Sequence, residues 1–197
     1  MTNERREKLE KVLAHRQENI TVVFENVEDP HNIAAVLRTC ESVGIQDIYI
    51  LNHTIPPHPK FGEALGFRSS SSAWKWLSLH YYDNLHQCVE ALRNQGFSLM
   101  ATGLSAKAID LYEMDFTQKL ALVFGNERKG VTEEMLSLCD GNFLIPQTGI
   151  IQSLNISVAC AISLYEAYRQ KKIAGHYDKP SLSADKLLQL QKDWGLV

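Results

Sequence analysis

Short, almost continuously apolar runs alternate along most of the chain with segments of helical character. A strand that is apolar on both of its faces must be covered on both, which is typical of parallel sheets flanked by helices. The sequence therefore predicts an α/β fold, with a mostly parallel sheet covered by helices on both faces. The predicted strands are Thr21–Glu25, Asp47–Leu51, Phe97–Ala101, Leu120–Phe124 and Phe143–Ile145, with the aromatic segment Trp74–Tyr82 as a further candidate.

Capping residues mark where the predicted helices begin and end. Asp29 followed by Pro30 is typical of a helix start, and Gly44 is typical of the residue after a helix end. We expect Ser153 to cap the long helix that continues to Gln170, because its hydroxyl can accept from free backbone amides. The other predicted helices are 3–18, 84–95, a short one from about 132, and 183–194.

Polar and glycine-containing loops directly follow three of the predicted strands. They are Thr102-Gly103, Gly125–Gly130 and Gln147–Asn155. In open parallel sheets ligands bind beyond the carboxyl ends of the strands, so these loops predict one ligand site. Neither the dinucleotide motif G-x-G-x-x-G nor a P-loop is present at them, so the site has a different arrangement.

Length and composition exclude several classes of protein. At 197 residues, with 45% hydrophobic and 22% charged residues, the chain is typical of one globular domain with small appendages. It has no apolar run of about 18 residues, so we expect no membrane span, and its charged first residues argue against a secretory signal. The four cysteines have no metal-like spacing, and we interpret them as reduced core thiols of a cytoplasmic protein without a metal site: Cys40, Cys88, Cys139 and Cys160.

Basic residues are concentrated in two places although the net charge is −3. One cluster lies near the N-terminus and the other at the end of the last long helix. Such clusters suggest contacts with nucleic-acid phosphates, although solvated helix faces would explain them equally well. The candidates for phosphate contact are Arg5, Arg6, Arg16, Arg93, Arg169 and Lys171.

Three motifs in a fixed order resemble those of one family. They are Asn32-x5-Arg38-Thr39, then Phe124-Gly125-Asn126-Glu127-Arg128-x-Gly130-Val131, and finally Ile145-Pro146-x6-Ser153-Leu154-Asn155-x-Ser157. Together they resemble the SpoU branch of the SPOUT RNA 2′-O-methyltransferases. The resemblance extends to the charged N-terminal helix and the C-terminal tail, as in the tRNA-modifying members of that branch.

The resemblance implies a fold, a cofactor and an assembly that periodicity could not reveal. The C-terminal part of the sheet would be threaded into a trefoil knot, and S-adenosylmethionine (AdoMet) would bind there without a metal. The matching cofactor positions are Thr102, Gly125, Ile145 and Leu154. The protein would be a homodimer in which both chains build each site, with an N-terminal basic helical arm (1–19), a catalytic domain (20–175) and a C-terminal helical tail (176–197).

The implied reaction transfers a methyl group to a ribose 2′-hydroxyl, and the implied target is the D-loop guanosine at position 18 of tRNA. The catalytic arginine of the family corresponds to Arg38, which could act as general base or as a charged donor that stabilises the alkoxide. We favour the donor, because an arginine is costly to deprotonate at neutral pH. The resemblance also assigns catalytic positions to Asn32, Glu127, Ser153 and Asn155. For the first three of these, helix capping or charge neutralisation is the alternative.

Three competing functions remain open from the sequence. The same chemistry could act on rRNA or on another tRNA nucleotide, and the chain could be a non-catalytic RNA-binding SPOUT dimer. A nucleotide-binding module without RNA would leave the basic clusters unexplained. The sequence also departs from the family in the stretch Ser69–Trp76, which keeps Lys75-Trp76 but lacks a glycine, and this bears on which nucleotide is chosen.

Overall fold

A computed structural model of the protein describes residues 1–56, 73–105, 107–151 and 153–197. Its strands are β1 (Ile20–Glu25), β2 (Asp47–Leu51), β3 (Ser78–Tyr82), β4 (Ser98–Thr102), β5 (Ile109–Asp110), β6 (Leu120–Phe124) and β7 (Gly141–Leu144). They form one sheet in the order β3-β2-β1-β6-β4-β7-β5, and every pair of neighbours is parallel. The predicted α/β class with a parallel sheet is thus confirmed.

Six α-helices lie within the described ranges, together with two 3-10 helices (Ala73–Trp76 and Leu111–Glu113). Asp29 caps the helix that begins at Pro30, as predicted, and the helix predicted over 84–95 begins at Leu85 with Asn84 as its cap. The α-helices are α1 (Asn3–Ala14), α2 (Pro30–Ser42), α3 (Leu85–Asn94), α4 (Glu133–Leu138), α5 (Ile156–Ile173) and α6 (Ala184–Asp193).

The sheet is covered on both faces because its central strands are buried along their whole length. Successive residues of β1 enter different cores: Val22 belongs to the one that includes α2 and α5, and Val23 to the one that includes α3 and α4. This is the two-residue alternation of a strand. Leu37 and Leu164 are the matching helix residues in the first core, and Leu92 is one in the second.

A third apolar cluster joins the two ends of the chain. Leu9 and Leu13 of α1 pack with Leu190 of α6 and with Leu196, while Trp76 and Trp194 lie against them. The predicted N-terminal helix ends at Ala14 rather than near residue 18. It has little apolar surface of its own, and it is held by this contact with the C-terminal helix.

Several sequence predictions of element bounds were wrong. The N-cap of α5 is Asn155, whose side chain accepts from the Ser157 amide, so Ser153 does not cap this helix. The aromatic segment 74–82, a candidate strand, divides into a 3-10 helix and β3, and the short strand β5 between β4 and β6 was not predicted. These differences follow from tertiary pairing, which propensity does not encode.

The four cysteines are free, as predicted, with Cys40, Cys88 and Cys160 buried and Cys139 half-buried. None of the helices described is both long enough and apolar enough to cross a membrane. The departure from the family pattern at Ser69–Ser72 lies outside the described residues.

Candidate functional site

The loops after β4, β6 and β7 enclose an open cavity of about 610 Å³, here called the strand-end cavity. All four positions implied for the cofactor line it: Thr102, Gly125, Ile145 and Leu154. Its volume lies within the range of about 300–1,000 Å³ that is usual for small-molecule sites. The predicted convergence of three loops at one edge of the sheet is therefore what the structure contains.

The loop after β6 turns so tightly that Gly125 can have no side chain. A Cβ atom there would lie 2.2 Å from the carbonyl carbon of Gly130 and 2.2 Å from the amide nitrogen of Val131. Asn126 and Gly130 exchange two backbone hydrogen bonds of 3.0 and 2.8 Å across the loop, and Gly130 has a φ of +71°. This closure exposes backbone of the loop to the cavity, where a ligand can approach it.

Glu127 is the centre of a hydrogen-bond network that joins the three motifs. Its carboxylate accepts from the backbone amides of Glu28 (3.1 Å) and Asp29 (3.2 Å), and from the Asn32 side chain at 2.9 Å. Asn155 donates from its side chain to Oδ1 of Asn32 over 3.1 Å. The starts of α2 and α5 are thereby tied to the loop after β6.

This network also sets the charge of Glu127. Partial burial by itself would raise the pKa of the Glu127 carboxyl. The hydrogen bonds from Asn32 and from the backbone amides near Glu28 and Asp29 outweigh it, and the pKa is lowered. Glu127 is therefore a carboxylate at neutral pH, which is the form that can accept all of these bonds.

A buried polar layer beneath the cavity was not anticipated from the sequence. Glu25, fully buried at the end of β1, accepts from the Thr132 amide at 2.9 Å, from the Thr132 hydroxyl at 2.5 Å, and contacts His53 Nε2 at 2.8 Å. Asn126 donates to the backbone carbonyl of Asn26 over 2.9 Å. A charged residue at the end of an apolar strand was the only sequence signal for this support of the loop.

Arg38 lies outside the strand-end cavity. Its exposed side chain lines a second opening of about 570 Å³, here called the interhelix cavity, between α1, α2 and Trp194. The six-residue separation from Asn32 corresponds to about 240° around the helix, so the two side chains leave α2 in different directions. Within one chain, Glu127 and Asn155 bond to Asn32 and not to Arg38.

Comparison with known families agrees with the motifs and their geometry. The model of the SpoU rRNA methylase family matches residues 19–165, which include the whole sheet and both ends of the hydrogen-bond network. The chain belongs to the SpoU methylase family. The resemblance inferred from the three motifs is therefore confirmed.

Relatives of this SpoU methylase chain cover nearly its whole length. A Thermus thermophilus protein named tRNA (guanosine(18)-2′-O)-methyltransferase is 42% identical over 98% of this chain and 96% of its own. A protein of the same name from Aquifex aeolicus is 37% identical over 96% of this chain and 88% of its own. The solved structure of the A. aeolicus TrmH/SpoU tRNA modifying enzyme superposes with a TM-score of 0.85 at 34% identity, covering 98% and 95% of the two chains.

Structures of this family have also been solved with the cofactor. The SpoU methyltransferase AviRb from Streptomyces viridochromogenes, in complex with AdoMet, superposes with a TM-score of 0.67 at 29% identity. It matches 82% of this chain, which covers 62% of AviRb. AdoMet is the cofactor of SpoU methyltransferases, and the strand-end cavity has a volume in the range that is usual for small-molecule sites.

Of the six predicted phosphate contacts in this SpoU chain, Arg16 and Lys171 are not at the surface. Arg16 is fully buried and donates to the backbone carbonyls of Ile45 (3.0 Å) and Trp76 (3.3 Å). Lys171 is also buried, 3.4 Å from the Gln118 carbonyl, and burial lowers its pKa to about 8. In this structure neither side chain can reach an RNA phosphate, and both predictions are corrected on that ground.

The other four basic residues lie at the surface, but acceptors of the protein itself already bind three of them. Arg5 lines the interhelix cavity, and Arg6 donates to the Leu196 carbonyl at 2.9 Å. Arg93 is held by Asp140 at 2.5 Å, and Arg169 by Glu166 at 2.7 Å. Because ion pairs already occupy Arg93 and Arg169, the residues of α1 are the better placed for RNA.

Proposed function

We propose that this chain is an AdoMet-dependent tRNA methyltransferase that modifies the ribose 2′-hydroxyl of guanosine 18. The observation that carries the proposal is the bonded set of Glu127, Asn32 and Asn155, which holds the three SpoU motifs together beside the strand-end cavity. The named relatives that match over nearly the whole chain are tRNA (guanosine(18)-2′-O)-methyltransferases. They favour tRNA over the rRNA alternative.

AdoMet supplies an activated methyl group on a sulfonium centre. Thr102, Gly125, Ile145 and Leu154 would hold it in the strand-end cavity, largely through backbone groups. Because Gly125 has no side chain, the cofactor could approach the backbone of this turn closely. Ser153 and Asn155, at the mouth of the same cavity, would orient the incoming ribose.

Arg38 provides the charge that the reaction needs. Its guanidinium can donate hydrogen bonds that stabilise negative charge developing on the ribose oxygen. Among the described residues its side chain has no ion-pair partner, which leaves its donors available to RNA. Water or an RNA phosphate would take the hydroxyl proton.

The separation of Arg38 from the strand-end cavity of its own chain supports a homodimer with composite sites. Arg38 of one chain would then serve the cofactor cavity of the other. Apolar side chains exposed in the loop before α5 and on α5 itself are the surface expected to be covered in the dimer. They are Ile150, Ile151, Leu154, Val158 and Tyr165.

We also propose features that the resemblance to the family implies. We include a trefoil knot in the segment from β6 to α5, a catalytic domain at 20–175, and helical segments at 1–19 and 176–197 that pack together on the RNA side. The four free thiols agree with a cytoplasmic location. An experimental chain trace in which α5 does not pass through the preceding loop would contradict the knot.

The decisive experiment maps ribose methylation in unmodified tRNA incubated with the purified protein and AdoMet. We expect one modified nucleotide, the D-loop guanosine, and no transfer by Arg38→Ala. That variant should bind AdoMet as the wild type does, because Arg38 does not line the strand-end cavity. Methylation of rRNA alone, or tight tRNA binding with no transfer, would replace the proposal with one of its alternatives.

Mixing two inactive variants tests the composite site. In heterodimers of Arg38→Ala with Asn155→Ala, one of the two sites would combine two intact halves. A 1:1 mixture should then recover about a quarter of wild-type activity, since half of the dimers are mixed and each has one good site. No recovery after subunit exchange would place Arg38 and the cofactor cavity of the same chain in one site.

A further inference from the structure

The interhelix cavity, which the cofactor residues do not line, has the composition of a nucleobase site. Trp76, Trp194, Leu9 and Val12 give it an apolar wall, and Arg5, Lys8 and Arg38 give it a cationic rim. The two indoles meet edge to face, with centroids 5.1 Å apart, and both rings are only half-buried and line the cavity. A cavity of about 570 Å³ lies within the range for a small ligand such as a nucleoside.

Among the described residues that line this cavity, the one carboxylate is that of Glu41. It lies three residues after Arg38, so the two side chains leave the same face of α2 from Cβ atoms about 5–6 Å apart. The nearest cation to Glu41 is the buried Arg16, whose Nη2 is 3.6 Å from Oε1, beyond hydrogen-bonding distance. Within the described part of the chain no donor bonds to the Glu41 carboxylate, which is thus attracted by a buried charge but still free to accept.

A free carboxylate at this point distinguishes guanine from the other bases. Guanine presents two adjacent donors, N1–H and the 2-amino group, and a carboxylate can accept from both at once. Adenine presents an acceptor, N1, beside its amino group, and that nitrogen would face the carboxylate unfavourably. An aromatic wall binds any base face, so the carboxylate is the element that selects.

We propose that the interhelix cavity receives the guanine base of the nucleotide whose ribose is methylated, with Glu41 reading its N1–H and 2-amino group. This inference rests on the proposed function, because it places the ribose of the same nucleotide at Arg38. Arg5 and Lys8 at the rim then contact the neighbouring phosphates. The base lies against Trp76 or Trp194, and α1 and the C-terminal segment thereby form part of the specificity site.

The test compares methyl transfer to tRNA transcripts that differ only in the target base: guanine, hypoxanthine (in inosine) or adenine. Inosine lacks the 2-amino group, so wild-type kcat/KM should fall about tenfold from guanosine to inosine, and further for adenosine. In Glu41→Gln the guanosine-to-inosine ratio should fall towards one, because the amide cannot accept from both donors. Glu113→Gln, which changes an exposed carboxylate in the 3-10 helix after β5, should keep the wild-type ratio.

Thermal unfolding and AdoMet titration show whether Glu41→Gln folds, since the change also removes a charge beside Arg16. If it does not fold, Val12→Phe decides. This substitution fills the cavity from α1, and it should lower transfer to guanosine at least tenfold with unchanged AdoMet binding.

The outcomes separate the inference from the function on which it rests. Equal transfer to guanosine and inosine by the wild type, an unchanged ratio in a folded Glu41→Gln, or full activity in Val12→Phe would each overturn the base site and leave the methyltransferase proposal standing. A wild type that methylates none of the transcripts overturns both.

Discussion

The side-chain amide of Asn32 donates a hydrogen bond of 2.9 Å to the carboxylate of Glu127, 95 positions further along the chain. The side-chain oxygen of Asn32 accepts a hydrogen bond from the Asn155 side chain, so Asn32 is bonded to both of the other motifs. Asn32 thus fixes the start of α2 relative to the loop after β6. We expect its contribution to be positional, since it does not line the strand-end cavity.

Asn32→Ala should therefore lower kcat/KM for tRNA by about 10- to 100-fold, the equivalent of roughly 1–3 kcal/mol for polar groups left without partners. AdoMet affinity should change much less, because the cavity wall is intact. Steady-state transfer and isothermal titration measure the two quantities. Asn94→Ala, at the exposed end of α3, is the control, and an Asn32 variant as active as that control would contradict the positional role.

Gly125→Ala should abolish AdoMet binding and destabilise the fold. The new methyl group would lie 2.2 Å from backbone atoms of Gly130 and Val131, which cannot move aside without opening the loop. Gly149→Ala is the matched control, because a Cβ there meets nothing within 4 Å. Titration with AdoMet and thermal unfolding of both variants check this, and normal binding by Gly125→Ala would mean that the loop is not closed as described.

Asn155→Ala and Ser153→Ala should differ in stability. Loss of the Asn155 cap should lower the free energy of unfolding by about 1 kcal/mol. Ser153→Ala should change it by no more than about 0.5 kcal/mol, since Ser153 is exposed and does not cap α5. Urea denaturation of both variants measures this, and a larger loss for Ser153→Ala would restore the original prediction of the cap.

The burial of Lys171 should make stability depend on pH on the alkaline side. Burial lowers its pKa from 10.5 to about 8, although the charge of Asp115 opposes the shift. Between pH 8 and 10.5 the unfolded chain therefore binds more protons at this group than the folded one, so its contribution to the free energy of unfolding rises with pH across that window.

Lys171→Met should remove this dependence and raise the free energy of unfolding at pH 7 by a few kcal/mol at most. Denaturation of wild type and variant at several pH values between 7 and 10.5 gives the difference attributable to Lys171. Lys119→Met provides the comparison, because its amino group lies over the Phe97 ring at 4.8 Å and is only half-buried. A constant difference between Lys171→Met and wild type across the window would contradict the burial.

Removal of Arg5 and Arg6 should weaken tRNA binding and reduce its dependence on salt. The slope of log K against log salt is negative. For each phosphate that the variant no longer neutralises, its magnitude should decrease by roughly 0.7–0.9. Arg16→Met should instead lower thermal stability and leave the slope unchanged, because Arg16 is buried and bonded to backbone carbonyls. Binding titrations at several salt concentrations compare these variants with Lys107→Ala, and an unchanged slope for the double variant would make α1 an ordinary solvated helix.

Residues whose role depends on one segment were predicted correctly from the sequence. Asp29-Pro30 started α2 as expected, and the apolar runs became strands because both of their faces are buried. Thr102 and Gly125 lie at the carboxyl ends of two of these strands, and both line the strand-end cavity, as the position of a ligand site in a parallel sheet predicted. Each of these inferences needs only local pattern and the general geometry of parallel sheets.

Residues whose role depends on distant neighbours were not predictable in the same way. Arginine and lysine are usually found at the surface. Packing of the two chain ends and of α5 nevertheless removes Arg16 and Lys171 from solvent. Ser153 and Asn155 are equally good capping types, and the choice of Asn155 coincides with its bond to Asn32. In the sequence, Glu25 is only a charged residue at the end of an apolar strand. Its bonds to Thr132 and His53, which are distant in sequence, explain why it is buried there.

The order of amino acids by itself determined the α/β class, the three motifs and the edge of the sheet where they meet, because periodicity and capping act over a few neighbouring residues. Tertiary structure alone decided that Asn32 faces the loop after β6 while Arg38 faces the interhelix cavity beside α1 and Trp194. Two residues six positions apart on one helix are separated by a fixed rotation, but what lies on each side of the helix is set by how the sheet and both ends of the chain pack around it.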